Sequence, residues 1–276
     1  MLLESGTEVP LRALNFTSHK GASGAFEFPH ITCVTTGEPL HLKTHKVPVY
    51  NLRKIKSKPS IDVNSYAWEN LPFPDLEGSE GWEDRYGSFT CEWLKNYLGA
   101  RSCRLINHQI RRKHSDGDVS DNYESREEIK DQQPVPAVHV DINRERASAR
   151  ALAVLGEEFS DSDRLAIINI WRPLRGPVID APLALCDART LDAADMERTT
   201  DSYGGGYFIK YNTNMKWVYI HDQMPDEILL FRQYDNTLEP EVGDAKCIAH
   251  TAFLDDLRDG QGLPRQSIEL RCAVAY

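Results

Sequence analysis

From Leu165 to the end, the chain is a succession of short apolar, β-branched and aromatic runs cut by turns: LAIINIW, LALCDA, YFIKY, KWVYI, EILLFRQY, KCIAHTAF and SIELRCAVA. Short strands at this spacing, with little helical periodicity between them, predict a mainly β sandwich or barrel. A parallel sheet with a helix in every crossover does not fit, because the intervening segments are too short and too irregular to be helices.

The earlier part of the chain is more mixed. Residues up to about Asn64 read as an irregular arm with short extended pieces such as VPVYNLR, and Pro72 and Pro74 mark a loop. SFTCEWLKNYLG predicts a helix over Ser88–Gly99, with Phe89, Trp93 and Tyr97 recurring every fourth residue, Ser88 as cap and Gly99 as stop. RLINHQI and PAVHVDI read as strands, and a helix is expected from about Arg144 to Leu155, ending at Gly156. Between them Lys113–Gln133 is polar and almost free of core residues, either a solvated insertion or a flap over a site. We therefore expect one domain over 1–276, with an arm and helical flank in 1–100 and a β core carrying the site in 101–276.

Composition narrows the partners. A formal charge of -10 disfavours nucleic acid and anionic membrane surfaces, whose phosphates would be repelled. No apolar run is long enough to span a bilayer, and the start, MLLESGTEVPLRALNF, lacks a basic region followed by a sustained apolar stretch. Cys33, Cys91, Cys103, Cys186, Cys247 and Cys272 are scattered without a C-x-x-C pair, as expected of reduced, mostly buried thiols in a cytoplasmic protein rather than a disulfide framework or a zinc site. A homodimer stays open.

PVPAVHVDINRERA places His139 and Asp141 two apart within an apolar segment. On a strand these two side chains share one face while Val138, Val140 and Ile142 pack on the other. An H-x-D pair alone is a weak signal, and a structural histidine bonded to its neighbour gives the same pattern. His250, in KCIAHTAF, is positioned to complete a two-histidine, one-carboxylate set, which leaves three positions on Fe(II) for a bidentate cosubstrate and oxygen. In LPRQSIELR, Arg265 and Ser267 share a strand face and offer a donor fork and a hydroxyl to a carboxylate. His108 and Arg112, in NHQIRRK, are candidate pocket residues or a plain basic strand end, with Arg111 as the alternative to Arg112.

The words INHQIRR, PVPAVHVD, IINIWRPLRGPVIDAPLALCDART, QMPDEILLFRQYDN, HTAF and PRQSIELR resemble the fungal hydroxylase/desaturase family, which includes gibberellin desaturase and aspergillic acid hydroxylase types and is distantly related to bacterial cephem methoxylase subunits. The resemblance covers more than half the chain, from about Asn107 onward, and the first hundred residues match only loosely. It implies a double-stranded β-helix (a jelly-roll, cupin-like core with flanking helices) and an Fe(II)/2-oxoglutarate-dependent oxidative tailoring enzyme of secondary metabolism. Hydroxylation or desaturation of a small hydrophobic metabolite (terpenoid, polyketide or hybrid) is the implied reaction. Carried onto this chain, the iron ligands are His139, Asp141 and His250, and the cosubstrate's distal carboxylate falls to Arg265 and Ser267, with Arg271 as a second candidate. Asn169 and Trp171 are expected to face the cavity, and Arg172 to point away into a structural ion pair. Met215 and Val218 depart from the family's pattern, either making the pocket more apolar or lying on the surface.

Three rival readings share the same residues. A non-redox enzyme (dehydratase, isomerase or pericyclase) would use His139 and Asp141 as acid and base without metal or cosubstrate. A binding module would keep the pocket without turnover. A zinc hydrolase would leave Arg265 and Ser267 without a purpose.

Overall fold

The computed structural model describes residues 9–113, 133–200, 205–237, 247–254, 258 and 261–276. Among the described residues, fourteen strands form two sheets. The five-stranded sheet holds β4 (Tyr66–Asn70), β12 (Glu227–Asp235), β7 (Leu165–Pro173), β14 (Gln266–Ala275) and β5 (Ser102–Arg112), in that order. The nine-stranded sheet runs β1 (Leu11–Ser18), β3 (Pro39–Asn51), β11 (Trp217–Tyr219), β8 (Leu183–Cys186), β13 (His250–Ala252), β6 (His139–Val140), β10 (Tyr207–Ile209), β9 (Met196–Thr200) and β2 (Ala25–Cys33), and β3 also pairs with β2. The expected mainly β, jelly-roll architecture with flanking helices is borne out.

Alternation on the strands explains the layering. On β7 and β12, Trp171, Leu229 and Phe231 point to one side and meet Leu183, Leu185 and Val218 from the nine-stranded sheet, making the core between sheets. Their neighbours Ile168, Ile170, Ile228 and Leu230 point to the other side, where α2 (Trp82–Leu98) covers them. A short helix, α1 (Ile61–Asn64), precedes β4. The helix α3 (Arg144–Leu155) ends at Gly156, as the sequence predicts; the Asn143 side chain caps its start, and it packs Ala147, Ala151 and Leu155 against Leu165, Ile167, Ala273 and Ala275.

Three local expectations need correction. The stretch before Asn64, read as irregular, supplies β1, β2 and β3, because polar residues alternate with Leu14, Phe16, Leu40, Leu42, Val47 and Val49 on a half-covered sheet. The helix begins six residues before Ser88, at Trp82, and buries Trp82, Tyr86, Cys91 and Leu94, leaving Phe89 and Tyr97 exposed. PAVHVDI pairs as a strand only at His139 and Val140, since Pro134 and Pro136 lack the amide hydrogen a ladder needs. Residues 114–132, most of the predicted polar insertion, lie outside the described residues. No helix among the described residues is long and apolar enough to cross a membrane.

Candidate metal centre

Sheet register brings the two histidines together. His139 of β6 lies directly opposite His250 of β13 in an antiparallel pair, and directly opposed residues project from the same face. Their ring centroids are 4.3 Å apart. Asp141, two residues on, turns its Oδ1 toward both rings, 3.5 Å from His139 Nε2 and 3.7 Å from His250 Nε2. One ligand atom from each residue lies within 4.8 Å of the other two.

Both imidazoles are turned the same way. His139 Nδ1 sits 2.7 Å from the Ala137 carbonyl and His250 Nδ1 3.3 Å from the Ile248 carbonyl. A ring nitrogen facing a carbonyl oxygen carries the hydrogen, so each Nε2 lone pair is left pointing inward. Burial, reinforced by the His139 charge, pushes the His250 pKa down to about 3, so this ring is neutral and able to ligate at neutral pH.

Asp141 is held from its other side. Its Oδ2 accepts from Asn169 Nδ2 at 2.7 Å and from Arg271 Nε at 3.2 Å, and its backbone N–H donates to Gln233 Oε1 at 2.9 Å. Burial opposes ionisation, but the charge of Arg271 outweighs it and holds the carboxyl well below the usual range. The result is an anionic oxygen, Oδ1, presented between two imidazole nitrogens, while Oδ2 is occupied by hydrogen bonds. Two imidazoles and one carboxylate, with the outer atoms of each tied back, suit a first-row divalent cation such as Fe(II).

A second polar group is built on β14. Arg265 is 3% exposed, its Nη1 donates to the Ala181 carbonyl at 2.7 Å, and its guanidinium lies 5.5 Å from the centre of the Trp171 ring. Arg265 Nε and Ser267 Oγ are buried without a hydrogen-bond partner. Burial and then the nearby Arg111 charge pull the Arg265 pKa down to about 9. Among the described residues no carboxylate pairs with this guanidinium, and a buried cation beside an unbonded hydroxyl favours binding an anion. A carboxylate with two oxygens would satisfy both groups.

The other predicted residues divide. Asn169 and Trp171 face inward as expected. Arg271 does not serve as a second carboxylate anchor, because its guanidinium already bridges Asp141 and Glu269 at 3.2 and 3.1 Å. His108 and Arg112 are opposite Leu270 and Gln266 in the register, on the sheet face turned away from the centre. His108 is exposed there and Arg112 pairs with Glu77 at 2.6 Å. Their neighbour Arg111, opposite Ser267, is the residue on the inner face. Arg172 points away as expected but forms no ion pair among the described residues: it donates to Tyr86 Oη, to the Pro225 carbonyl and to the Leu71 carbonyl. Met215 and Val218 are both buried, and only Val218 belongs to the core between the sheets. Gln233 escaped notice because a single glutamine in an apolar strand carries no signal of its own. Alternation from Leu229 and Phe231 places it on the inner side, where the ladder shifts register between Arg232 and Tyr234.

Fold and side chains together define a double-stranded β-helix that brings two histidines and one carboxylate to a single point, a set able to hold a metal ion. The chain belongs to the family described as Oxidoreductase/YMDC permease-like domain, whose model matches residues 14–275. It is 29% identical over 260 residues to the hydroxylase/desaturase CTB9 of Cercospora beticola, covering 85% of this chain and 77% of that protein. It is 24% identical over 250 residues to the Fe(II)/2-oxoglutarate-dependent dioxygenase nvfI of Aspergillus novofumigatus, covering 83% of each. A solved structure titled iron and alpha-ketoglutarate-dependent endoperoxidase NvfI superposes with a TM-score of 0.77 at 21% identity, covering 98% of this chain and 99% of that one. The resemblance to fungal hydroxylase/desaturases drawn from the sequence words is borne out.

Proposed function

We propose that the chain is an Fe(II)- and 2-oxoglutarate-dependent oxygenase that hydroxylates or desaturates a small hydrophobic metabolite in fungal secondary metabolism. The observation that carries this reading is the convergence of His139 Nε2, His250 Nε2 and Asp141 Oδ1, within 4.8 Å, in a chain that also holds Arg265 and Ser267 without an anion. A metal-only hydrolase gives no reason to bury that second group. The related proteins named as Fe(II)/2-oxoglutarate-dependent dioxygenases support the same assignment.

When bound, iron would supply one-electron oxygen chemistry driven by decarboxylation of the cosubstrate. The protein's part is positional. His139, Asp141 and His250 would hold the ion on one face, leaving the opposite positions open. Asn169 and Arg271 fix which Asp141 oxygen is presented, and Gln233 fixes the backbone that carries it. Arg265 and Ser267 would orient the cosubstrate through its distal carboxylate, with Trp171 stacked beneath the guanidinium. Phe208 and Phe231, with ring centroids 6.0 and 4.9 Å from the His139 and His250 rings, keep water from that side of the centre. All six cysteines are unpaired, which supports residence in a reducing compartment such as the cytoplasm.

The test is an anaerobic titration of the metal-free protein with Fe(II) and then 2-oxoglutarate. We expect a visible charge-transfer band that saturates at one equivalent and is lost in Asp141→Ala. If that variant and its parent bind and turn over alike in chelator-treated buffer, the metal reading is overturned in favour of acid–base chemistry on the same scaffold.

A further inference from the structure

We propose that Cys91, Cys103 and Cys272 form a second metal centre, a three-thiolate site for a soft d10 cation of the Cu(I) or Zn(II) class. It would lie on the face of the five-stranded sheet opposite the histidine–aspartate centre. The three residues come from α2, β5 and β14, and nothing in their spacing along the chain joins them. The fold does: Cys272 lies opposite Leu105, and Cys103 opposite Val274, so the two cysteines are diagonal neighbours on the face covered by α2. Cys91 comes down from that helix.

The sulfurs already have the separation a trigonal metal needs. Cys91 Sγ and Cys272 Sγ are 3.8 Å apart, and all three sulfurs lie within 4.8 Å of one another. With a metal–sulfur bond of about 2.3 Å, a planar three-thiolate site places its sulfurs about 4.0 Å apart. A Cys91–Cys272 disulfide fits less well, since these two sulfurs would have to shorten from 3.8 Å to about 2.05 Å inside a packed core.

Chemistry points the same way. Three thiolates around a divalent cation leave one net negative charge. A buried positive charge without a carboxylate partner lies close by: Arg172, 0% exposed, donates through Nε to Tyr86 Oη at 2.8 Å. Tyr86 in turn lies within the electrostatic reach of Cys272. Cys91 and Cys272 are buried, whereas Cys103 is partly exposed and gives the ion a way in. The consequence is structural: the ion would tie α2 to the two strands beside the register shift between Arg271 and Cys272. It would thereby steady the strand whose other face carries Ser267, Glu269 and Arg271.

The experiment is a titration of the full chain with Cd(II), whose ultraviolet thiolate charge-transfer band is silent for histidine and carboxylate ligands. It is run on the parent and on Asp141→Ala, which removes a ligand of the other centre. We expect the band to saturate at one Cd(II) per chain in both proteins. Cys103→Ser should weaken its affinity more than about 100-fold, beyond what losing an outer hydrogen-bond partner costs. Bound Cd(II) should also protect Cys103 from alkylation in the unmutated chain, a readout that does not depend on the variant folding. Competition with Zn(II) and with buffered Cu(I) then identifies the preferred ion. Absence of the thiolate band, its survival in Cys103→Ser, or a Cys91–Cys272 disulfide in protein purified under mild reduction would each overturn the proposal.

Discussion

Asn169 Nδ2 donates to Asp141 Oδ2 at 2.7 Å, so a side chain from the middle of the five-stranded sheet fixes a carboxylate carried by the opposing sheet. The bond spans the two layers and decides which oxygen faces the histidines. Replacing Asn169 with leucine keeps the branched shape but leaves Oδ2 only the bond from Arg271. We expect Asn169→Leu to lower Fe(II) affinity by roughly 10- to 100-fold, as outer-shell losses do. The thermal midpoint should stay close to that of the parent. Competition against a metallochromic chelator measures the first quantity and calorimetry the second.

The group around Arg265 should behave differently. Its guanidinium makes a hydrogen bond from Nη1 to the Ala181 carbonyl, and its Nε has no partner among the described residues. Arg265→Ala should leave Fe(II) affinity within a factor of about two to three, because it removes no ligand. It should weaken 2-oxoglutarate binding on the order of 100-fold, the worth of a charge-assisted pair at about 1.5–3 kcal/mol. Ser267→Ala should give a smaller loss of the same kind. Titrating the charge-transfer band with 2-oxoglutarate at saturating iron separates the two effects.

These contrasts show what the sequence makes legible. His139, Asp141 and His250 could be picked out because alternation on a strand is a local rule, and the helix at Arg144–Leu155 because its caps are local too. His108 and Arg112 were misplaced for the same reason in reverse. Alternation says that 108, 110 and 112 share a face, but only pairing with β14 says which face looks inward. Arg271 was misread because its partner, Asp141, lies 130 positions away along the chain. The strands before Asn64 were missed because their outer residues are polar, so the apolar half alone looked like scattered pieces. The three clustered cysteines are invisible to any spacing rule.

Asp235 provides an acid-sensitive contact remote from the metal centre. It is buried, accepts from Arg164 Nη2 at 2.8 Å and from Thr237 Oγ1 at 2.7 Å, and lies 3.7 Å from Arg232 Nε. Burial favours the neutral acid, yet the bonds from Arg164 and Thr237, with the Arg232 charge, hold its pKa below the ordinary value. A depressed folded-state pKa means that the stabilisation is fully present above the unfolded value, about 3.9, and is lost as pH falls toward the folded one. Asp235→Asn should therefore be less stable than the parent at pH 7 and should show a shallower loss of stability between about pH 5 and pH 3. Urea midpoints across that range test it. Parallel curves for the two proteins would mean that Asp235 does not contribute to the acid sensitivity.

Arg172 tests how far the fold depends on one buried cation. It is 0% exposed, and in place of an acid it has three oxygen acceptors: Tyr86 Oη and the Pro225 carbonyl, both at 2.8 Å, and the Leu71 carbonyl. These join α2 to the loops beginning at Leu71 and ending at Pro225, with the Tyr86 ring 4.8 Å beneath the guanidinium. Arg172→Met keeps much of the volume but strips all three acceptors at once, and groups left buried and unpaired cost more than the bonds contributed. We expect a loss on the order of 3–5 kcal/mol. Tyr86→Phe removes a single acceptor and keeps both the ring and the two carbonyls, so about 1–2 kcal/mol is expected. The ordering is the decisive point, since a structure that merely tolerates the arginine would gain stability from methionine. Denaturant midpoints for both variants, with unchanged m-values, measure it.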